Sequence, residues 1–230
     1  MSGLREQMTR FRAPLLVSGF VLLIMLAASA WAWHLLARDA RIPVHWSLTG
    51  EVDRYGGKFE GLLMLPLILA GVALLFTALP FLEPRARHLK LSHKAFGALW
   101  VGTVLFFAAV HLGMVAKALG KSVDVPFMSG LASGLMMMVL GNYMGKLRSN
   151  FFIGIRTPWT LSSELSWSKT HRLGGWLFVL LGGVFTISTL FGVSVFFKVL
   201  TPGVLTMVVV LFVYSYVIWK SDPNKQETGR

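Results

Sequence analysis

The sequence contains no cysteine among its 230 residues, which excludes disulfides, thiol nucleophiles and thiolate metal sites. Charged residues are also scarce, at 14% of the chain, and ten acidic residues stand against 22 Lys and Arg, for a net charge of +12. Apolar residues make up 55%, and the mean hydropathy is +0.66. This composition is typical of a membrane protein and too apolar for a soluble domain of this length.

Acidic residues are absent from the interiors of the long apolar runs, where His111 is the one internal ionisable residue. Proton-coupled transporters normally need a carboxylate there, so proton-driven transport is disfavoured. We expect His111 to hydrogen-bond a neighbouring helix. The sequence also lacks the H-E-x-x-H and G-x-S-x-G motifs and a phosphate-binding glycine loop, so it predicts no enzyme, no catalytic residue and no cofactor. A soluble domain able to bind a nucleic acid duplex directly is also missing.

Six apolar runs reach the roughly 20 residues that a spanning helix needs. They are Pro14–Leu36, Gly61–Leu82, Ala95–Leu119, Val125–Met144, Leu173–Phe191 and Val195–Trp219. The chain is therefore predicted to be an all-α membrane protein with six transmembrane helices. The first run follows Arg5, Arg10 and Arg12 and contains Ala28-Ser29-Ala30, so a cleaved signal peptide is the alternative. Because the run continues to Leu36, we expect it to remain as the first span.

The Lys and Arg residues are distributed unevenly between the two sides that six spans define. Fifteen fall on the side of both termini, and seven fall on the other side. Basic residues are retained on the cytoplasmic side of membranes, so both termini are predicted to be cytoplasmic. The basic side then faces anionic lipid headgroups or cytosolic partners.

The first loop, residues 37–60, reads ARDARIPVHWSLTGEVDRYGGKFE and lies on the predicted outer side. Its turn signals at Gly50 and Gly56 and the alternation of Val44, Trp46 and Leu48 predict a small folded turn or hairpin. His45 with Glu51 and Asp53 raises the hypothesis of a metal ligand or general base. No second histidine stands at ligand spacing, so we expect His45 to be a hydrogen-bonded loop residue and predict no metal site.

The basic loop, residues 145–172, lies between the fourth and fifth runs on the predicted inner side. Thr157 is placed to cap a helix, with Pro158 at the first helical position and Trp159 packing at its start. Leu161 and Leu165 share one helical face, and Trp167 and His171 share a neighbouring one. This pattern predicts an amphipathic helix lying in the membrane interface, with Lys169 and Arg172 at phosphate level. A surface that docks a protein is the alternative.

The fourth run repeats small residues at a spacing of four. These are Gly130 and Gly134, then Gly141 and Gly145. Such residues let helix backbones approach closely in lipid. The pattern indicates packing within the bundle or, alternatively, a face through which two copies form a homo-oligomer.

Two stretches together resemble the SdpI family of bacterial membrane proteins. The first is IPVHWSLTGEVDRYGGK in the first loop, and the second is GNYMGKLRSNFFIGIRTPWTLSSELSWSKTHRLGG at 141–175. The resemblance divides the chain into a two-helix unit, residues 1–94, and a four-helix unit, residues 95–230. It implies an outer binding set of Pro43, His45, Trp46, Gly50 and Asp53. It implies an inner binding set of Asn142, Lys146, Asn150, Arg156, Thr157, Pro158, Trp159, Trp167, Lys169, His171 and Arg172.

The founding member of that family is an immunity protein against a secreted membrane-active toxin. The resemblance implies a multi-pass protein of the bacterial cytoplasmic (inner) membrane, protection from a toxin outside, and sequestration of a cytosolic repressor inside. Two other functions stay open on the residues alone. One is a small transporter or lipid-handling protein that grips an anionic headgroup with Arg156, Lys169 and Arg172. The other is a hydrolase that uses His45 and Asp53 with a zinc ion.

Overall fold

The computed structural model describes residues 11–225. Within this range the fold is helical apart from one antiparallel hairpin of two strands. Arg5, Arg10 and Arg230, which contribute to the predicted charge asymmetry, lie outside the described residues.

Six of the helices are long and apolar enough to cross a bilayer, which confirms the six predicted spans. The chain is a multi-pass membrane protein. In chain order the elements are α1 (Arg12–Leu35), β1 (Ile42–Trp46), β2 (Val52–Gly56), a π-helical turn (Phe59–Leu63) that leads into α2 (Met64–Leu82), α3 (Ala86–Leu91), α4 (His93–Ala118), α5 (Val125–Met144), α6 (Pro158–Ser162), α7 (Glu164–Leu190) and α8 (Val193–Lys220). The two short helices, α3 and α6, lie in connections.

Local chemistry sets several helix ends. Asp124 caps α5 by accepting a hydrogen bond from the Phe127 N–H at 2.9 Å. Ser163 caps α7 by accepting from the Ser166 N–H at 2.9 Å, so α7 begins at Glu164 rather than at the predicted Leu173. Gly192 has φ +106°, a left-handed conformation that favours glycine, and it turns the chain between α7 and α8. The last two spans therefore form a helical hairpin.

The most extensive helix contact joins α5 to α7, and it depends on facing glycines. A Cβ added at Gly182 would lie 2.6 Å from the carbonyl oxygen of Gly134, and one added at Gly141 would lie 2.6 Å from that of Gly175. Only glycine permits backbones this close.

The glycines of the fourth run have neighbours within the chain, as the interpretation of packing within the bundle predicts. A Cβ at Gly130 would lie 2.7 Å from Thr189 Oγ1, and the nearest atom to one at Gly145 would be Arg172 Cα, at 3.8 Å. Both neighbours belong to α7. The homo-oligomer stays a prediction.

A second core forms where α1 and α2 pack against α4. Trp100 and Phe96 of α4 are fully buried, and the ring of Phe76 from α2 stacks on Trp100 with centroids 5.4 Å apart. The indole N–H of Trp100 donates to Ser18 Oγ of α1 at 2.8 Å. Helix α4 also packs against α5, so it joins the two units that the sequence predicts.

His111 of α4 is fully buried and bonds to α1, as expected. Its Nε2 lies 3.0 Å from Ser29 Oγ and 3.3 Å from the carbonyl oxygen of Met25. Ser29 donates its own proton to the Leu62 carbonyl of the π-helical turn at 2.6 Å. Nε2 of His111 is therefore the donor to Ser29, and the two residues tie α4, α1 and the entry to α2 together.

Candidate functional site

The six spans place the predicted binding residues at opposite ends of the bundle. The connection from α1 to α2, which contains the hairpin (residues 42–56), lies at one end with the α5 start and the α7–α8 turn. The basic loop lies at the other end with the α2–α4 connection and the residues after α8. We refer to these as the hairpin end and the basic end.

The hairpin brings the outer set together. Strands β1 and β2 pair Ile42 with Gly56 and His45 with Arg54, with an irregularity in the register on either side of His45. The turn closes through the Ser47 N–H, which donates to the Glu51 carbonyl at 2.8 Å. Leu48 lies in this turn and is exposed, so it does not continue the β1 face as predicted. The rest of the first loop contains the two paired strands.

His45 and Asp53 meet across the hairpin at its exposed surface. His45 Nδ1 lies 2.6 Å from Asp53 Oδ1, and the two side chains are 62% and 44% exposed. Exposed pairs of this kind contribute about 0–1 kcal/mol to stability, so the fold does not depend on this one. A polar pair held in fixed geometry and open to water is available to an external partner.

The first loop makes two further contacts that its sequence pattern does not predict. Arg54 pairs with Glu60 of the π-helical turn. Gly50, with φ +89°, touches α8, because a Cβ added there would lie 2.3 Å from Val193 Cγ1. The hairpin therefore spans from the α1–α2 pair to α8. Within residues 11–225 no three His, Asp or Glu side chains lie close enough to hold a metal ion.

At the basic end, Asn150 organises the start of the basic loop. Its side-chain oxygen accepts from the N–H groups of Phe152 and Ile153, at 3.0 and 2.7 Å. Its amide nitrogen donates to the carbonyls of Arg148 and Ile153, at 2.9 and 3.1 Å. The side chain is fully buried and all its hydrogen-bonding capacity is used, so Asn150 is a structural centre rather than an exposed ligand.

Trp167 and His171 hold the middle of the basic loop on α7. The His171 ring stacks on Trp167 with centroids 4.0 Å apart, and the indole N–H donates to the Leu147 carbonyl at 2.8 Å. His171 Nε2 accepts from the Ile155 N–H at 2.9 Å, and Nδ1 lies 2.8 Å from the Trp167 carbonyl. A backbone N–H only donates and a carbonyl only accepts, so the ring is neutral with its proton on Nδ1.

The predicted helix start at Thr157 is confirmed. Thr157 and Thr160 form a reciprocal capping box, and Pro158 is the first residue of α6. Thr157 Oγ1 also donates to Ser215 Oγ of α8 at 3.1 Å, and Ser166 Oγ of α7 donates to the Ser215 carbonyl at 2.8 Å. The capping motif thus joins α6 to α8, and Ser166 joins α7 to the same residue of α8.

Trp159 lies at the start of α6, as predicted. The residues that it packs against are far from it in the sequence. Its ring meets the edges of Phe212 and Tyr216 of α8, with centroids 4.7 and 5.1 Å away.

The interfacial position predicted for the second half of the basic loop is wrong for two residues. Trp167 and His171 belong to the first turns of α7 and are buried against protein, at 1% and 0% exposure. A sequence pattern shows which face of a helix is apolar and will be buried. Here the face that carries Trp167 and His171 packs against the basic loop instead of lipid. The residues of the inner set that are exposed are Asn142, Lys146, Arg156, Pro158, Lys169 and Arg172.

The α2–α4 connection contributes residues that the sequence did not single out. Glu83 is buried and accepts from the N–H groups of Arg85 and Phe151, at 2.9 and 3.0 Å. Arg85 donates to Ser149 Oγ, and His88 Nδ1 lies 2.7 Å from the Ser149 carbonyl. The sequence feature that could have identified this cluster is Glu83, the one acidic residue in an otherwise basic connection.

The residues after α8 close the basic end. Ser163 donates a hydrogen bond to Asp222, and with the Asn224 N–H this lowers the pKa of the Asp222 carboxyl below its usual value. Arg85, Glu164 and Asp222 line a polar cavity of about 280 Å³ beside this contact. The basic end is thus a rigid, hydrogen-bonded surface whose exposed charges are mainly positive.

Comparison with known proteins places both ends in recognised segments. Residues 146–219 match the family model described as SdpI/YfhL protein family, and residues 20–70 match one described as Domain of unknown function (DUF1648). The first segment contains most of the basic loop with α7 and α8, and the second contains the hairpin.

A curated relative is the Immunity protein SdpI of Bacillus subtilis (strain 168). It is 28% identical over 111 residues, which is 48% of this chain and 54% of that protein. The match therefore spans about half the length of the curated relative. No solved structure matches the chain significantly. Residues 146–219 of this chain are thus similar to the SdpI/YfhL protein family, and about half of the chain is similar to Immunity protein SdpI.

Proposed function

We propose that this chain is an immunity protein that gives the membrane carrying it resistance to a secreted membrane-active toxin. The observation that carries the proposal is the match of residues 146–219 to the SdpI/YfhL family, reinforced by a relative named as an immunity protein. In this proposal the role is recognition rather than catalysis. The protein resides in the bacterial cytoplasmic membrane, with both termini and the basic end inside the cell.

The toxin is met at the hairpin end. The His45 and Asp53 side chains are exposed there, and Pro43, Trp46 and Gly50 fix the hairpin that carries them. The contact of Gly50 with Val193 supports a rigid hairpin, because the turn is held against α8. A rigid surface loses little entropy on binding, which favours recognition of a defined partner.

The basic end faces the cytoplasm and binds anionic partners in this proposal. Lys146, Arg156, Lys169 and Arg172 are exposed, while the buried Asn150 holds the backbone of residues 148–153, which lies between the first two. Anionic headgroups fit these charges at the membrane surface, and an acidic face of a cytosolic repressor fits them as a protein partner.

The immunity proposal predicts that Asp53→Ala and His45→Ala each abolish protection without reducing the amount of protein in the membrane. The pair is exposed and contributes little to stability, so its loss removes a recognition element and leaves the fold intact. The assay expresses each variant in a derivative of Bacillus subtilis 168 that lacks its own SdpI, grown together with the parent strain. Asp39→Ala, the same charge change at an exposed position before the hairpin, is the matched control. Full survival of the Asp53→Ala strain would refute a role for the hairpin.

The proposed orientation predicts the labelling of single cysteines by a membrane-impermeant maleimide added to intact cells. The natural sequence has no cysteine, so any introduced thiol is the sole target. Thr49→Cys in the hairpin turn is expected to react, whereas Lys169→Cys at the basic end is expected to react only after the membrane is permeabilised. The reverse pattern would invert the topology.

A further inference from the structure

A cavity of about 470 Å³ lies beneath the hairpin, within the range of about 300–1,000 Å³ found for small-molecule sites. Its upper wall is β1, through Val44, His45 and Trp46. Its other walls are formed by the start of α2, the start of α8, and parts of α4 and α5. The cavity therefore lies between the two units of the chain.

The depth of the cavity matches one leaflet of a bilayer. It extends along α5 from Pro126 to Ser133 and along α4 from Met114 to Val110. Ser133 is about 12 Å from the start of α5 at Val125, taking about 1.5 Å per residue. One leaflet of the hydrocarbon core is about 15 Å thick.

The serines in the deep part of the cavity have no free hydroxyl donor. Ser129 Oγ donates to the Val125 carbonyl at 2.8 Å, and Ser133 Oγ donates to the Ser129 carbonyl at 2.7 Å. The other deep walls are carbon, from residues such as Val110 and Phe197. A polar ligand would lose its water there and find no free donor, whereas a hydrocarbon chain has no hydrogen bonds to lose and gains from leaving water.

Among the residues that line the cavity, those with ionisable side chains lie only at its hairpin end. They are His45, Arg54 and Glu60, and the last two pair with each other. The lining thus changes from charged at the surface to apolar at leaflet depth. This gradient fits an amphiphile whose head lies at the hairpin and whose tail enters the bundle.

We propose that this cavity binds one acyl chain of a phospholipid from the outer leaflet, with the headgroup at the Arg54–Glu60 pair. A bilayer lipid is the occupant that supplies a chain of this length in this orientation. The proposal goes beyond toxin immunity; only the assignment to the outer leaflet rests on the orientation proposed above, and the labelling test does not depend on it. It makes the hairpin the cover of a lipid site as well as an exposed surface.

The test uses the full-length protein in phosphatidylethanolamine and phosphatidylglycerol vesicles that contain a photoreactive phosphatidylglycerol. One probe carries a diazirine next to the acyl carbonyl, and a second carries it near the middle of the chain. The first is expected to label His45 or Trp46, and the second to label Val110 or Met114. Labelling that is confined to the outward faces of α2 and α8, or that is the same for both probes, would overturn the proposal.

Two cavity-filling variants test whether labelling is specific. Ser133→Phe on α5 and Val110→Phe on α4 are each expected to reduce deep labelling about tenfold or more, because the ring displaces several methylene groups of the chain. Val209→Phe, at an exposed position of α8 outside the cavity, should leave it unchanged. Unaltered labelling in both filled variants would overturn the proposal. So would displacement of the lipid by an added photoreactive poly-leucine helix, since the site would then take a peptide.

Discussion

Replacing Gly182 by alanine is expected to destabilise the protein strongly, while the same change at the adjacent Gly183 is not. The new methyl group at Gly182 would lie 2.6 Å from the Gly134 carbonyl oxygen and 2.9 Å from the Met138 nitrogen, both backbone atoms of α5. A flexible side chain could move away, but a helix backbone must shift as a unit. Overpacking of this kind costs about 1–3 kcal/mol and sometimes more.

Gly183 supplies the matched control because a Cβ there meets nothing within 4 Å. In a helix, alanine at such a position is favoured over glycine by about 0.5–1 kcal/mol. Thermal unfolding of the two purified variants in the same detergent should therefore move in opposite directions. Equal melting temperatures for Gly182→Ala and Gly183→Ala would show that α5 and α7 do not pack through their glycines.

Replacing His171 by alanine is expected to release the basic loop from α7. The Ile155 N–H loses its acceptor, which costs about 1–3 kcal/mol, and the buried ring leaves a cavity beside Trp167. The summed loss should be about 3–5 kcal/mol. Hydrogen exchange of residues 150–157 should accelerate before the spans unfold. His34→Ala, at the exposed end of α1, is the control.

A double-mutant cycle with Gly154 isolates the contact itself. A Cβ at Gly154 would lie 2.3 Å from His171 Nε2, and φ +114° strains any other residue there. Gly154→Ala should cost less in the His171→Ala background, because the clash is gone and only the backbone strain persists. Strictly additive losses would contradict this packing.

Features that depend on neighbouring residues in the sequence were predictable. The six spans follow from run length, and the Thr157–Pro158 helix start follows from the chemistry of a single turn. The glycine spacing of α5 predicted a close helix contact, but spacing alone could not identify α7 as the helix within the chain that makes it.

Features that join distant segments were not predictable. Glu83 accepts a hydrogen bond from the Phe151 N–H, and Thr157 donates one to Ser215. The residues of each pair are far apart in the sequence, so no local pattern predicts these bonds. The positions of Trp167 and His171 identified a helix face that is buried away from water. Such a face can pack against lipid or against protein, and the sequence does not distinguish the two. The basic loop was therefore assigned to the membrane interface, although its own backbone covers that face.

The most direct test of the immunity function is survival of cells that carry this chain. A derivative of Bacillus subtilis 168 without its SdpI receives this chain, its own SdpI or an empty vector, and each strain is grown with the toxin-producing parent. We predict that this chain restores survival toward the level given by SdpI. Survival no better than the empty vector, with the chain present in the membrane at the level of SdpI, would contradict the proposal.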